Sequence, residues 1–295
     1  MSRFILSTDS CCDLFKSELK ERNISYINLS LSAEENGEFK IFYDDFHTYE
    51  EYVEFYQKMR AGFSPKTTQL TVEELYEYFK GIRQGDKDIL HICLSSGLSG
   101  TYNCAQAAAK RIYEDFGVKV YPFDSLAATV GQKRVVLKAQ ELRDLDFDAE
   151  RAVDLLEDYT FKLQHWLLIT DLTYLKKGGR ISGAKAAVGT LLKLRPIITI
   201  NDIGKLAIYD KAKGTKKGIA EMISILKKTE CDFSEPINIV HTDAPELAEE
   251  LKAAVLDKHP KAKIVTDIMG PVIGAHFGPG SVAFLFKGKD RLDIE

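Results

Sequence analysis

Short apolar runs alternate along the first half of the chain with stretches whose apolar positions recur at helical spacing. Phe4, Ile5 and Leu6 read as a strand, residues 14–22 as a helix and residues 24–31 as a second strand. Tyr49–Arg60 is predicted helical, with Tyr52, Val53, Tyr56 and Met59 near one face. Residues 71–83 form the next predicted helix, with Thr71 as N-cap and Glu74 three residues on. A buried strand over 89–94, a helix over 100–116 and a strand over 118–123 follow. This alternation predicts an α/β fold whose N-terminal domain is a mostly parallel sheet flanked by helices.

The second half has a different texture. A strand over 166–170 leads into a loop rich in Gly and Lys. Residues 196–200 and 205–209, joined by Asn201, Asp202, Ile203 and Gly204, read as a β-hairpin. A helix over 216–228, a strand over 237–240, a helix over 247–256 and strands over 263–268 and 282–286 complete the pattern. It predicts a C-terminal mixed sheet with helices. The boundary falls between Phe147 and Gln164, giving domains of residues 1–160 and 161–295.

The 295 residues carry 45% hydrophobic and 28% charged side chains, an ordinary globular balance. A formal net charge of -4 disfavours nucleic acid as a partner. The five scattered cysteines, with Cys11 and Cys12 adjacent and no CxxC pair, suit a reducing compartment and predict no metal site. No apolar segment approaches the ~20 residues of a membrane span. The expectation is a cytoplasmic protein without stable membrane insertion.

Five predicted strands end in small polar clusters: Thr8-Asp9-Ser10, Ser95-Ser96, Asp124-Ser125, Thr170-Asp171 and His241-Thr242-Asp243. Open α/β sheets bind ligands at the carboxyl ends of their strands, so the set predicts a crevice lined with hydroxyls and carboxylates. The run from Ser95 through Gly97 and Gly100 to Tyr102 follows a strand and opens a helix. Free N–H groups beside hydroxyls there would suit an anion. The run matches neither a dinucleotide fingerprint, a P-loop nor a nucleophile elbow. Ser95 and Ser96 could equally cap the helix, and Asp9 and Asp124 are better read as caps and turn acceptors than as acids or metal ligands. The Leu175-to-Ser182 run is basic and glycine-rich, and residues 270–280 combine glycines and prolines with His276. A solvated Arg180 and a structural His276 are the plain alternatives.

Taken in order, these pieces resemble the DegV family of bacterial fatty-acid-binding proteins. The matching residues are Asp9, Ser10 and Asp13; Thr67, Thr68 and Gln69; Ser95 to Tyr102; and Asp124 with Ser125. They continue with Leu175 to Ser182, Arg195-Pro196, His241 to Asp243, and Ile273-Gly274 with His276, Gly278, Pro279 and Gly280. Thr68 and Leu70 depart from the usual Ser and Pro, and Thr129 and Lys133 from the usual Ser and Gly.

The resemblance implies two α/β domains with the acyl chain buried and its carboxylate at their interface. By motif, Thr67, Ser95, Ser96 and Gly97 correspond to the carboxylate-binding segments, and Arg180 and His276 to positions that order the head-group site. Ile273 is a candidate for the tail's wall, with Leu98, Ile268, Met269 and Val272. The implied partner is a separate ATP-dependent fatty acid kinase related to dihydroxyacetone kinases. It phosphorylates the presented carboxylate, and a downstream acyltransferase uses the acyl phosphate in phospholipid synthesis. The chain itself then needs no cofactor and performs no catalysis. A ~16-carbon tail leaving water contributes on the order of 12 kcal/mol. Hydroxyls, backbone N–H groups and a protonated His276 would satisfy the carboxylate. Lys205, Lys211, Lys213, Lys216 and Lys217 form a basic stretch that could dock the kinase. Rival readings are an acyl-ester serine hydrolase using Ser95 or Ser96 with His276, and a phosphate or nucleotide binder using the Ser95–Tyr102 turn.

Overall fold

A computed structural model of the chain describes residues 3–35, 37–45, 48–180, 194–291 and 294. It is an α/β protein that divides into two compact units, residues 1–48 with 65–160 and residues 49–64 with 161–295. The 49–64 segment lies in the N-terminal half of the sequence but belongs to the second unit.

The first unit is built on a parallel sheet of β1 (Phe4–Asp9), β2 (Ser25–Ile27), β6 (Asp88–Cys93) and β7 (Val120–Asp124), in the order β2-β1-β6-β7. All six residues of β1 are buried, which is why its sequence is a continuous run rather than an alternation. Helices α3 (Val72–Ile82), α4 (Thr101–Phe116), α5 (Thr129–Asp144) and α6 (Ala149–Phe161) follow the strands in sequence. The Thr71–Glu74 capping box forms as predicted, with Glu74 N–H donating to Thr71 Oγ1 at 3.2 Å and Thr71 N–H to Glu74 Oε2 at 2.8 Å.

Residues 24–31 are not one strand. The chain leaves the parallel sheet after Ile27 and re-enters as β3 (Ser30–Glu35) in a separate antiparallel sheet, order β4-β3-β5, with β4 (Glu38–Tyr43) and β5 (Lys66–Thr68). No Gly or Pro marks this hop between sheets. The predicted helix over 14–22 shortens to α1 (Lys16–Glu21), preceded by a 3-10 turn at Ser10–Cys12 capped by Asp9.

The second unit centres on a mixed sheet. Strands β8 (Leu163–Leu168), β9 (Arg195–Ile200), β10 (Leu206–Ala212), β11 (Ile237–His241), β12 (Ile264–Ile268) and β13 (Val282–Lys287) stand in the order β10-β9-β8-β13-β11-β12. The β9–β10 hairpin forms, closed by Asn201 N–H to Lys205 O at 2.9 Å, with Gly204 at φ 74°. Only the β11–β12 pair is parallel among these. Apolar stripes of α8 (Thr215–Lys228) and α9 (Pro245–Lys258) cover it, Met222, Ile225 and Leu251 packing with Trp166, Phe284 and Phe286 in one core. Full burial of each such side chain contributes roughly 1.5–3 kcal/mol. Truncating the central Trp166 to Ala would cost roughly 3–5 kcal/mol.

Helix α2 (Tyr49–Arg60) runs with this unit. Tyr52, Phe55, Tyr56 and Met59 are buried, so Phe55 takes the place on the apolar face that the sequence reading gave to Val53. Both ends of α2 reach the turn after β11: Tyr49 stacks edge-on with His241 at 6.3 Å, and Arg60 pairs with Asp243 and donates to its carbonyl at 2.7 Å. Among the described residues no helix is long and apolar enough to cross a membrane.

Candidate functional site

In the first unit the strand order reverses between β1 and β6, the place where open α/β sheets leave a crevice. Three of the five polar clusters converge there. Asp9 ends β1 and accepts the Leu94 N–H at 2.7 Å, the Cys11 N–H at 3.0 Å and the Gln132 amide at 3.0 Å. Asp124 ends β7 and accepts from Ser96 N–H at 3.1 Å and Leu126 N–H at 3.0 Å. Both carboxylates thus act as turn acceptors. Burial raises the Asp9 pKa, and its hydrogen bonds oppose that rise. The neighbouring Cys11 and Cys12 thiols are also pushed up by burial, the reverse of a reactive pair.

Ser95 and Ser96 follow β6 with opposite fates. Ser95 is fully buried; its N–H donates to Ala127 O at 3.0 Å and its hydroxyl accepts the Gly97 N–H at 3.2 Å. Ser96 is exposed. The N–H groups of Leu98 and Ser99 both donate to Ser95 O, at 3.0 and 3.1 Å, and that of Thr101 to Ser99 Oγ at 3.2 Å. Most amides of this turn are thus engaged: residues 96–99 and 101 have their N–H groups bonded within the protein. The turn offers hydroxyls, and a phosphate cradle of the backbone type has little left to donate.

The Thr67–Gln69 segment meets this turn. Leu70 N–H donates to Thr101 Oγ1 at 3.3 Å, and the Gln69 amide reaches Cys104 Sγ at 3.8 Å. The Gln69 side chain lies against Gly100 so closely that a Cβ there would stand 3.0 Å from its Cδ. Thr67 itself is half-buried on β5 opposite Leu31. Thr129, a departure from the family pattern, has φ 50° at the start of α5 and donates its hydroxyl to the buried Asp13. Its replacement of the usual Ser thus keeps a hydroxyl in place.

In the second unit the Gly/Lys loop after β8 is a short helix, α7 (Leu172–Gly178), capped by Asp171 through Thr173 N–H at 2.8 Å and ended by Gly179 at φ 69°. The 270–280 segment is likewise a helix, α10 (Pro271–Phe277), with Pro271 at its start and Gly278 at its C-cap. That asymmetry was readable from the sequence, but the density of Gly and Pro suggested a loop. The two helices pack together. His276 lies over Gly178, where a Cβ would stand 3.2 Å from its Cγ. Arg180, exposed, donates to Gly178 O at 2.5 Å. Tyr56 reaches α10 from α2, donating to Met269 O at 2.7 Å, and Gly274 sits directly beneath it. Ile268, Met269, Val272 and Ile273 are buried, and Leu98 of the first unit is half-buried. Ile181 and Ser182 of the matching run lie outside the described residues.

Burial, reinforced by the Arg180 charge, lowers the His276 pKa to about 4. Burial thus favours the neutral ring, whereas the protonated His276 expected from the sequence concerns the state with a carboxylate beside it. The other two strand-end clusters flank β13: Thr170 N–H donates to Ser281 Oγ at 3.4 Å and Ser281 N–H to Thr242 Oγ1 at 2.8 Å. They serve the sheet's own edge. Gln69, Tyr56 and Gly178 already figure in the sequence pattern, but their close contacts with Gly100, Gly274 and His276 are visible only in the fold.

Residues 4–289 match the family model described as "Uncharacterised protein, DegV family". A DegV domain-containing protein of Clostridium perfringens (strain 13 / Type A) is 34% identical over 295 residues, covering 99% of both chains. The solved structure of a DegV family protein from Thermus thermophilus, described as fatty acid binding, matches with a TM-score of 0.81 at 26% identity, covering 97% of this chain and 99% of that one. DegV of Bacillus subtilis, described as a fatty acid binding protein, matches with a TM-score of 0.79 at 27% identity, covering 98% of this chain and all of that one, 100%.

Proposed function

Since the chain belongs to the DegV family, we propose that it binds a long-chain fatty acid. It buries the acyl tail and presents the carboxylate to a separate ATP-dependent fatty acid kinase in the cytoplasm. The observation that carries this reading is the likeness, over nearly the whole chain, to proteins whose structures are described as fatty acid binding. The chemistry of the candidate residues supports it. Thr67, Ser95 and Ser96 supply hydroxyls in the first unit; Arg180 supplies a permanent charge and His276 a neutral ring N–H in the second. A carboxylate paired with hydroxyl donors and a guanidinium escapes the cost of an unpartnered buried charge. The aliphatic residues of α10, Ile273 among them, are candidates for the tail's wall.

The acyl phosphate would be formed by the kinase and consumed by an acyltransferase of phospholipid synthesis. The protein contributes positioning and needs no cofactor. Lys205, Lys211, Lys213, Lys216 and Lys217 are all exposed and make no ion pair among the described residues, so they are available to an acidic kinase surface. The engaged amides of the Ser95 turn disfavour the nucleotide-binding alternative.

Native mass spectrometry of the purified protein tests the reading. A copurified mass equal to a fatty acid, displaced by added palmitate or oleate, is the expected result. An empty protein that takes up neither lipid overturns it. Ser96→Ala should weaken lipid binding roughly 5–30-fold, from the loss of about 1–2 kcal/mol of hydrogen bonding. Acyl phosphate should form from fatty acid and ATP only when the protein and a dihydroxyacetone-kinase-like enzyme are both present. Charge reversal of Lys216 and Lys217 should lower that rate and leave lipid binding alone.

A further inference from the structure

Strand β4 is an edge strand, hydrogen-bonded to β3 on one side and to no strand on the other among the described residues. Its alternate residues Phe39, Ile41 and Tyr43 are 70%, 63% and 58% exposed. They form a continuous apolar stripe along one face. Soluble sheets normally blunt an edge with Pro, a bulge or an outward Lys. Here β4 contains no Pro, its pairing with β3 is regular, and its charged Lys40 points to the other, more covered face.

We propose that β4 is a self-association surface, on which a second copy of this chain pairs edge to edge and antiparallel about a two-fold axis at Ile41. Two features favour a second copy over other occupants. The pattern is self-complementary: with Ile41 on the axis, Phe39 faces Tyr43 of the second copy and Tyr43 faces Phe39, so all six side chains fall on one face. The same pairing gives strand partners to the outward-facing backbone groups of Phe39 and Ile41, which an apolar surface alone cannot do; Tyr43 O already accepts the Asp45 N–H at 2.8 Å. The residues beside the stripe on that face are Ser30, Ser32 and Glu34 of β3. This polar and acidic border does not suit an anionic bilayer. Pairing would join two three-stranded sheets into one of six, and β5, which carries Thr67, would stay at the outer edges.

The stripe is small. Three side chains exposed by more than half offer on the order of 350 Å² per copy, or about 700 Å² in all. Stable dimers bury about 1,200–2,000 Å², so this association is weak and concentration-dependent.

Sedimentation velocity of the full chain from about 1 μM to about 1 mM tests it. The expected result is a sedimentation coefficient that rises with concentration. Ile41→Lys puts like charges on the axis and should raise the dissociation constant at least about tenfold, with the melting temperature unchanged because Ile41 is exposed. Register is tested separately with Phe39→Cys and Tyr43→Cys. A mixture of the two variants should crosslink with a short bis-maleimide well above wild type, and Phe39→Cys alone should not. A wild-type chain that stays monomeric throughout overturns the proposal. So does crosslinking of Phe39→Cys alone as efficient as that of the mixture, and so does Ile41-dependent binding to phosphatidylglycerol vesicles by a monomer.

Discussion

The carboxylate of Asp9 accepts the Leu94 amide at 2.7 Å and so ties the end of β1 to the end of β6 where the strand order reverses. The residue after Leu94 is Ser95, so the same contact fixes the start of the hydroxyl-bearing turn. Gln132 and Cys11 hold the other carboxylate oxygen, at 3.0 Å each. Asp9, read from the sequence as a cap and turn acceptor, is in the fold the pin that sets the geometry of its neighbours.

Removing that pin should be costly. Asp9→Ala leaves the Leu94 and Cys11 amides without their acceptor, while the Gln132 amide keeps Thr8 Oγ1 at 3.3 Å; at about 1–3 kcal/mol for each unsatisfied group, a total loss of about 2–6 kcal/mol is expected. Urea unfolding measures it. A loss below about 1 kcal/mol would mean that the donors find other partners and that Asp9 does not organise the turn.

The His91 ring predicts an acid sensitivity. It is fully buried on β6, shares a hydrogen bond with Ser7 Oγ at 2.9 Å and lies edge-on to Phe79 at 5.1 Å. Burial lowers its pKa from 6.5 to about 3. Between those values the unfolded chain takes up a proton that the folded chain refuses. Stability therefore falls as pH falls from about 6.5 to about 3, by on the order of 4–5 kcal/mol from this group. Asp9 and Asp44, whose pKa values burial raises, act in the opposite sense as they protonate. The comparison with His91→Gln separates the two. The variant should be less stable at neutral pH but lose less on acidification; parallel pH profiles would count against the assignment.

The fold class and most elements were legible because they depend on local pattern: continuous apolar runs for buried parallel strands, helical spacing for Tyr49–Arg60, Asn201 to Gly204 for the hairpin. The misses share a cause. The hop from β2 to β3, the transfer of α2 to the second unit and the helical state of α7 and α10 are decided by partners distant in sequence. Gly178, Gly274 and Gly278 looked like loop glycines. They are instead the places where His276, Tyr56 and Tyr174 come too close for a side chain. The hydroxyls of Ser95 and Ser96 were visible as a pair, but not that one is buried and the other exposed.

Gly274 gives a direct test of that close packing. A Cβ there would stand 2.7 Å from Tyr56 Cζ, and Tyr56 is held in place by its bond to Met269 O. Gly274→Ala should destabilise the protein by about 1–3 kcal/mol through overpacking. In combination with Tyr56→Leu the two losses should sum to less than their separate values, because the shorter side chain removes the clash. Strict additivity in thermal or chemical unfolding would show that the two residues do not press on each other.

His276 should take up a proton when a carboxylate binds beside it. Its pKa of about 4 results from burial first and the Arg180 charge second. A fatty carboxylate arriving beside it would favour the protonated ring and raise that pKa. Binding should then take up protons in the mildly acidic range, below about pH 6, and be tighter there than at pH 8 by the linkage between proton and ligand. Calorimetry in buffers of different ionisation enthalpy measures the uptake directly. His276→Gln should abolish it, and Arg180→Met should enlarge the protonated fraction of the free protein. Uptake that persists unchanged in His276→Gln would assign the proton to another group and detach His276 from the head-group site.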